Sequence, residues 1–182
     1  FYLPPVLSEV VVGLVWKWIY DGNYWLLNYW LQNIGLSNLV TDWLSNPKTA
    51  LTCVAVLHCW KGFGWGFIML LAGLQTIPRQ LYEAAKVDGA SSWQMFKSVT
   101  MPLMAPVFIL VSILTVLGTM QVFVLILSMT NGGPGYHTEV PVTRILASMV
   151  DSSRFGYACS QGIMFGAALL AISFVQIKLS KY

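Results

Sequence analysis

The chain has 182 residues, 57% of them hydrophobic and 9% charged, with a mean hydropathy of +0.67; against roughly 25% charged residues in an ordinary soluble domain, this excludes a soluble globular fold. A net charge of +3, from ten Lys+Arg and seven Asp+Glu with no basic run, excludes a nucleic-acid-binding surface. Three cysteines (Cys53, Cys59, Cys159) stand at neither disulfide-framework nor metal-ligand spacing.

Apolar stretches with few charges predict one all-α polytopic membrane domain over 1–182 with four transmembrane helices, at about 3–20, 49–74, 103–129 and 157–177. Each is long enough to cross ~30 Å of hydrocarbon. The chain opens at Phe1-Tyr2-Leu3-Pro4-Pro5, with no Met, basic n-region or small-residue cleavage site, so an upstream continuation is expected. Pro4 and Pro5 suit the opening turn of the first span, Glu9 and Lys17 interrupt it, and Trp16, Lys17, Trp18 and Tyr20 read as its interfacial rim.

Residues 21–48 begin at the turn signal Asp21-Gly22-Asn23, continue through the amphipathic run Trp25 to Leu31, and break at Asn46-Pro47, which predicts a helix lying on the bilayer surface. Residues 130–156 open on Thr130-Asn131-Gly132-Gly133-Pro134-Gly135, which cannot continue a helix, and include a second short surface helix around Pro141 to Leu146. Arg79, Lys86, Lys97, Lys178 and Lys181 lie on one side of this arrangement, against Lys48, Arg144 and Arg154, with Lys17 at the rim. The excess of basic residues assigns the 75–102 loop and the C-terminus to the cytoplasm.

The 75–102 loop reads as two short helices with a bend. Pro78 suits a first helical position, Gly89 a left-handed stop, Ser91 with Gln94 a capping box, and Pro102 the entry to the next span. Leu81, Ala84, Ala85 and Asp88 share a helical face whose alanines leave a shallow surface for another protein's groove, while Glu83 points elsewhere. The same features also describe an ordinary inter-span loop with good helix chemistry.

Glu83-Ala84-Ala85, then Asp88-Gly89-Ala90, then Phe96 and Pro102, closely resembles the EAA loop of permease subunits of bacterial ATP-binding-cassette importers. The resemblance covers nearly the whole chain. It is similar to the carbohydrate-uptake group, and to the subunit related to the maltose importer's larger permease, through Val11 to Trp18, Leu71 to Pro78, and Asn131-Gly132-Gly133-Pro134. It implies a coupling helix seated in a cleft of a cytoplasmic ATPase subunit, a role carried to Glu83, Ala84, Ala85, Asp88, Gly89 and Ala90. It also implies about two further helices upstream, so that these are the later four of six, and residence in the bacterial cytoplasmic (inner) membrane. The implied partners are a second permease, two ATPase subunits that bind ATP and Mg, and an extracytoplasmic solute-binding protein contacting 21–48 and 130–156. The chain itself is expected to bind no cofactor and to be no enzyme, since it has no GxxxxGK[ST] phosphate loop.

Alternating access needs a polar site near mid-bilayer, where an ionisable side chain costs at least about 2–3 kcal/mol. Lys61, flanked by Trp60, Gly62, Phe63, Gly64, Trp65 and Gly66, reads either as a cavity wall meeting a hydroxylated or anionic solute, or as a structural lysine paired with a carbonyl or a partner's carboxylate. His58 lacks metal-ligand companions and reads first as a satisfied buried histidine; Glu9 faces a cavity or sits near an interface. Thr115, Thr119 and Gln121 add polar surface beside Met120 and Phe123. Because importers of the resembled type line their sugar site from the helices flanking the coupling loop, the expected substrate pathway is Trp60, Lys61, Phe63, Thr119, Gln121 and Phe123. Trp16, Trp18, Trp25, Trp30 and Trp43 map to interfaces, so aromatic abundance is no evidence for sugar.

The function implied is transport of a sugar or oligosaccharide, with an anionic solute such as a sugar phosphate also compatible. Two other classes carry less. A membrane-embedded enzyme rests only on His58 and Glu9, on different spans, and a docking scaffold would use the polar loop merely to hold a partner.

Overall fold

The computed structural model describes residues 2–22 and 26–179. Their regular structure is all helical, with no strand among the described residues: α1 (Leu3–Val6), α2 (Glu9–Tyr20), α3 (Leu26–Asn33), α4 (Ala50–Gln75), α5 (Arg79–Val87), α6 (Ser92–Met95), α7 (Met101–Met120), α8 (Val124–Met129), α9 (Pro141–Val150) and α10 (Phe155–Leu179). A 3₁₀ turn at Ser37–Leu39 and a π turn at Phe96–Thr100 complete the set.

Three helices among the described residues are long and apolar enough to cross a membrane: Ala50–Gln75, Ser92–Met120 and Phe155–Lys178. The 49–74 and 157–177 predictions match the first and last of these within a few residues. The other two predicted spans require correction. Residues 3–20 are not one helix but α1 and α2, separated where Ser8 is extended (φ −57°, ψ 134°) ahead of Glu9 in the first turn of α2. Ser8 stands at the N-cap position without a side-chain cap bond, and Glu9 brings a carboxylate to the positive end of the α2 dipole, a helix-start signal inside the apolar pattern. Residues 103–129 are divided as well. The helix begins upstream, runs through α6, the π turn and α7, and stops at Gln121 (φ −95°, ψ 5°) and Phe123 (φ −147°, ψ −35°) before α8.

Pro102 therefore lies inside a long helix. It has no N–H to offer the Ser98 carbonyl and its ring crowds that group; the π turn immediately before it widens the helix at that point. The second interruption has a packing cause. It turns Leu125, Ile126 and Met129 of α8 inward, all at most 2% exposed, against Val12 and Tyr20 of α2 and Cys53, Val54 and Leu57 of α4. Beyond this cluster α4 packs on α1 and α7, and α10 packs on α7 and α9.

Close approach is built from glycine at two crossings. A Cβ on Gly13 would overlap the Ser128 hydroxyl, and one on Gly73 would stand 2.9 Å from both methyls of Val107. Short helices form in both predicted stretches, α3 over Leu26–Asn33 and α9 over Pro141–Val150, while Asn23 and Trp25 lie outside the described residues.

Candidate functional site

The loop between α4 and α7 folds as the two short helices its sequence predicts. Pro78 sits one position earlier than expected, as the extended residue before α5 (ψ 133°). Gly89 takes φ +78°, and Ala90 N–H closes back to the Ala85 carbonyl at 2.9 Å, so the chain reverses directly after α5. Both halves of the capping box form: Ser91 N–H donates to Gln94 Oε1 at 2.7 Å, and Gln94 N–H donates to Ser91 Oγ at 3.4 Å. A bond that sequence reasoning missed locks the bend, since the Tyr82 and Thr100 hydroxyls lie 2.9 Å apart and join α5 to the π turn. Thr100 is buried, whereas nothing in its local pattern marks it as a partner for a tyrosine 18 residues away.

The result is a projecting elbow. Glu83, Ala84, Asp88 and Gly89 are exposed, Ala85 and Ala90 half-buried. Ala85, Asp88, Gly89 and Ala90 line a groove of about 280 Å³ with Gln94 and Met95. All six residues singled out for coupling thus lie on one short segment whose outer surface this chain leaves uncovered.

The expected pathway residues divide between the two helix interruptions. On α4, Lys61 Nζ donates to the Leu7 carbonyl at 3.0 Å and the Pro5 carbonyl at 3.4 Å, groups left over where α1 ends. Of the two readings open for Lys61, the carbonyl-paired one is what this chain displays. Trp60 packs against Trp16 of α2 with ring centroids 5.5 Å apart, Phe63 against Phe67 at 6.2 Å. Trp60 and Phe63 share an open apolar recess with Pro4 and Cys59. Thr119 in the last turn of α7, and Gln121 and Phe123 in the α7–α8 interruption, are all exposed. Thr119 meets α4 directly, its hydroxyl 3.2 Å from His58 Nε2. His58 is thereby a satisfied histidine, and among the described residues no group of three or more His, Cys, Asp or Glu is placed to hold a metal.

At the opposite end of α4 from the elbow, the 130–138 loop is held by Thr138, which is fully buried. Its hydroxyl donates to the Gly133 carbonyl at 2.7 Å and lies 2.7 Å from the Thr130 hydroxyl. Asn131, Gly132, Gly135 and Tyr136 all take positive φ there, a conformation that suits the two glycines and Asn131.

The arrangement is thus a membrane-length helix pair joined by an exposed elbow, with one break between α1 and α2 and another where the second helix of the pair ends before α8. A family model described as the binding-protein-dependent transport system inner membrane component matches residues 2–178. The chain belongs to that family. Its relatives include the trehalose/maltose transport system permease protein MalF of Thermococcus litoralis (32% identical; 99% of this chain, 60% of the relative). The probable ABC transporter permease YurN of Bacillus subtilis is 34% identical over all of this chain and 62% of its own length. The sulfoquinovosyl glycerol transport system permease SmoG of Agrobacterium fabrum is 30% identical over 97% of this chain and 57% of its own length. A bacterial ABC transporter involved in the import of the acidic polysaccharide alginate has a chain of the same fold, with TM-score 0.82, 26% identity, and coverage of 99% of this chain and 63% of that one. The chain spans about three-fifths of the length of these relatives. As a member of this family with three membrane-length helices among the described residues, it is a multi-pass membrane protein.

Proposed function

We propose that this chain is a transmembrane permease subunit of an ATP-binding-cassette importer, moving a sugar or oligosaccharide inward by alternating access while partner ATPase subunits, which hold ATP and Mg, hydrolyse the nucleotide. The observation that carries the reading is the uncovered elbow bearing Glu83-Ala84-Ala85 and Asp88-Gly89-Ala90, set between two membrane-length helices in a chain of this family. In this reading 1–182 is one permease unit whose elbow and C-terminus face the cytoplasm. The 21–48 and 130–156 loops meet a solute-binding protein, and a second permease completes the pathway. Trp60, Lys61, Phe63, Thr119, Gln121 and Phe123 border that pathway, as residues beside helix interruptions do in other transporters. An anionic solute is the second reading, favoured by the alginate importers of similar fold.

The test is reconstitution of the full-length protein with its partner subunits in liposomes. Solute-loaded binding protein is expected to stimulate ATP hydrolysis several-fold. Gly89→Trp should abolish ATPase association: a Cβ at Gly89 has no neighbour within 4 Å in this chain, so the indole projects outward toward the partner, while the φ of +78° adds a backbone strain that the next variant controls for. Gly89→Asn, which tolerates the left-handed backbone, should retain it. Intact association and uptake with Gly89→Trp would overturn the coupling role. Uptake of neutral against acidic oligosaccharides by the native complex decides between the two solute readings.

A further inference from the structure

Both helix interruptions are held by the same turn of α4. Lys61 takes the Leu7 and Pro5 carbonyls at the α1–α2 interruption, and His58, three residues earlier, takes the Thr119 hydroxyl in the last turn of α7. Residues three apart stand on one side of a helix, one turn above each other. At about 1.5 Å per residue this turn lies roughly 12–17 Å from the Ala50 end of α4, well inside the membrane-length segment. The Pro5 and Leu7 carbonyls, left without helical partners where α1 ends, are taken up by the Lys61 ammonium, which does for them what solvent does at a surface helix end.

The same two helices that carry the latch also carry the elbow, since α4 enters it at Gln75 and α7 leaves it through the π turn. Near the elbow they are pressed together at Gly73 against Val107 and Met104. At mid-height they are joined again by His58 and Thr119. The aromatic recess of Trp60 and Phe63 sits on the latch itself, with Pro4 of α1 as its far wall.

We infer that His58 and Lys61 form a two-point latch that makes the two helix interruptions move as one with α4, so that Lys61 is a positioning residue for the solute gate and not a contact to the solute. The inference rests on the importer reading above. It assigns α4 the task of carrying displacement at the elbow simultaneously to α1–α2 and to α7–α8. A displaced α4 pulls the Leu7 and Pro5 carbonyls through the ammonium and Thr119 through the imidazole, opening or closing the recess between α4 and α1 as it does so.

Two measurements test this. The first is amide hydrogen exchange on the full-length protein in nanodiscs. Thr119→Val removes the His58 partner without touching α1 or α2, and is expected to speed exchange at 7–12 at least threefold; unchanged exchange there overturns the latch. This readout needs neither ATP nor solute, so it stands even if the importer reading fails. The second is ATP consumed per solute imported by the reconstituted complex. Lys61→Met and Thr119→Val are each expected to raise it several-fold, Lys61→Arg to restore most of the native ratio, and the double variant to be no worse than the poorer single one. Strictly multiplicative losses in the double variant, or a native ratio in Lys61→Met with an altered preference between neutral and acidic sugars, would overturn the proposal, the latter making Lys61 a solute contact. Absence of solute-stimulated hydrolysis in the native complex would instead sink the importer reading. If Lys61→Met does not assemble, Thr119→Val decides by the exchange measurement alone.

Discussion

Asn28 is 4% exposed and uses both ends of its amide. Nδ2 donates to the Thr41 carbonyl at 3.0 Å, and Oδ1 accepts from the Trp43 indole N–H at 2.8 Å. Thr49 then donates to the Trp43 carbonyl at 2.7 Å, tying the whole connection to the start of α4. Asn28→Ala leaves two polar groups unpaired, at about 1–3 kcal/mol each, so detergent-solubilised protein should unfold at markedly lower temperature or denaturant concentration. Glycine at the α2–α8 crossing gives a second residue-scale expectation. Gly13→Val drives methyls into Ser128, an overpacking cost of about 1–3 kcal/mol, while the paired change Gly13→Ala with Ser128→Gly should recover most of it in the same unfolding measurement. Neither Asn28 nor Gly13 announces this role in sequence. Asn28 sits in an amphipathic run where a polar residue reads as solvent-facing, and its partners lie 13 and 15 residues away.

Among the elements, the elbow was the most legible, because local chemistry alone specifies it. Gly89 is open to the left-handed conformation that ends α5, and Ser91 and Gln94 reach each other across one helical turn. Ser91→Ala removes one half of that box, at about 1 kcal/mol, and is expected to weaken protection of the Gln94 and Met95 amides while leaving those of α4 unchanged. The interrupted helices were less legible, for two different reasons. Ser8-Glu9 is a helix-start signal that a hydropathy window averages away, so a local signal existed. No glycine or proline stands at 121–123, and the interruption there follows from the burial of Leu125, Ile126 and Met129 against α2 and α4, which no local window contains. Leu125→Ser is accordingly expected to loosen α8 and raise exchange at 124–130, with the α5–α6 amides unaffected.

At the scale of the whole molecule, only 17% of the apolar window of α4, and 6% of those of Ser92–Met120 and α10, is buried within the chain. Ile163, Met164 and Leu170 on α10 are each 74% exposed. Surfaces of this size and character require lipid or other subunits, and in a bilayer they cost nothing to leave apolar. The orientation proposed above has a direct check. With the full-length protein, its Cys53, Cys59 and Cys159 replaced by Ala, in sealed, right-side-out vesicles, a membrane-impermeant thiol reagent should label Arg154→Cys and should label Lys86→Cys only after permeabilisation; the reverse pattern would invert the topology. The sequence by itself determined that the chain is helical and membrane-embedded, where its two long unbroken helices at 49–74 and 157–177 lie, and the form of its elbow. Those properties depend on hydropathy and on contacts within a few residues, both written locally. Only the tertiary structure decided where the apolar stretches at 3–20 and 103–129 are broken and what answers the carbonyls freed at the end of α1. There the deciding terms are packing of α8 into the core and a lysine 54 residues from the carbonyl it holds, which are long-range contacts that exist only once the helices are assembled.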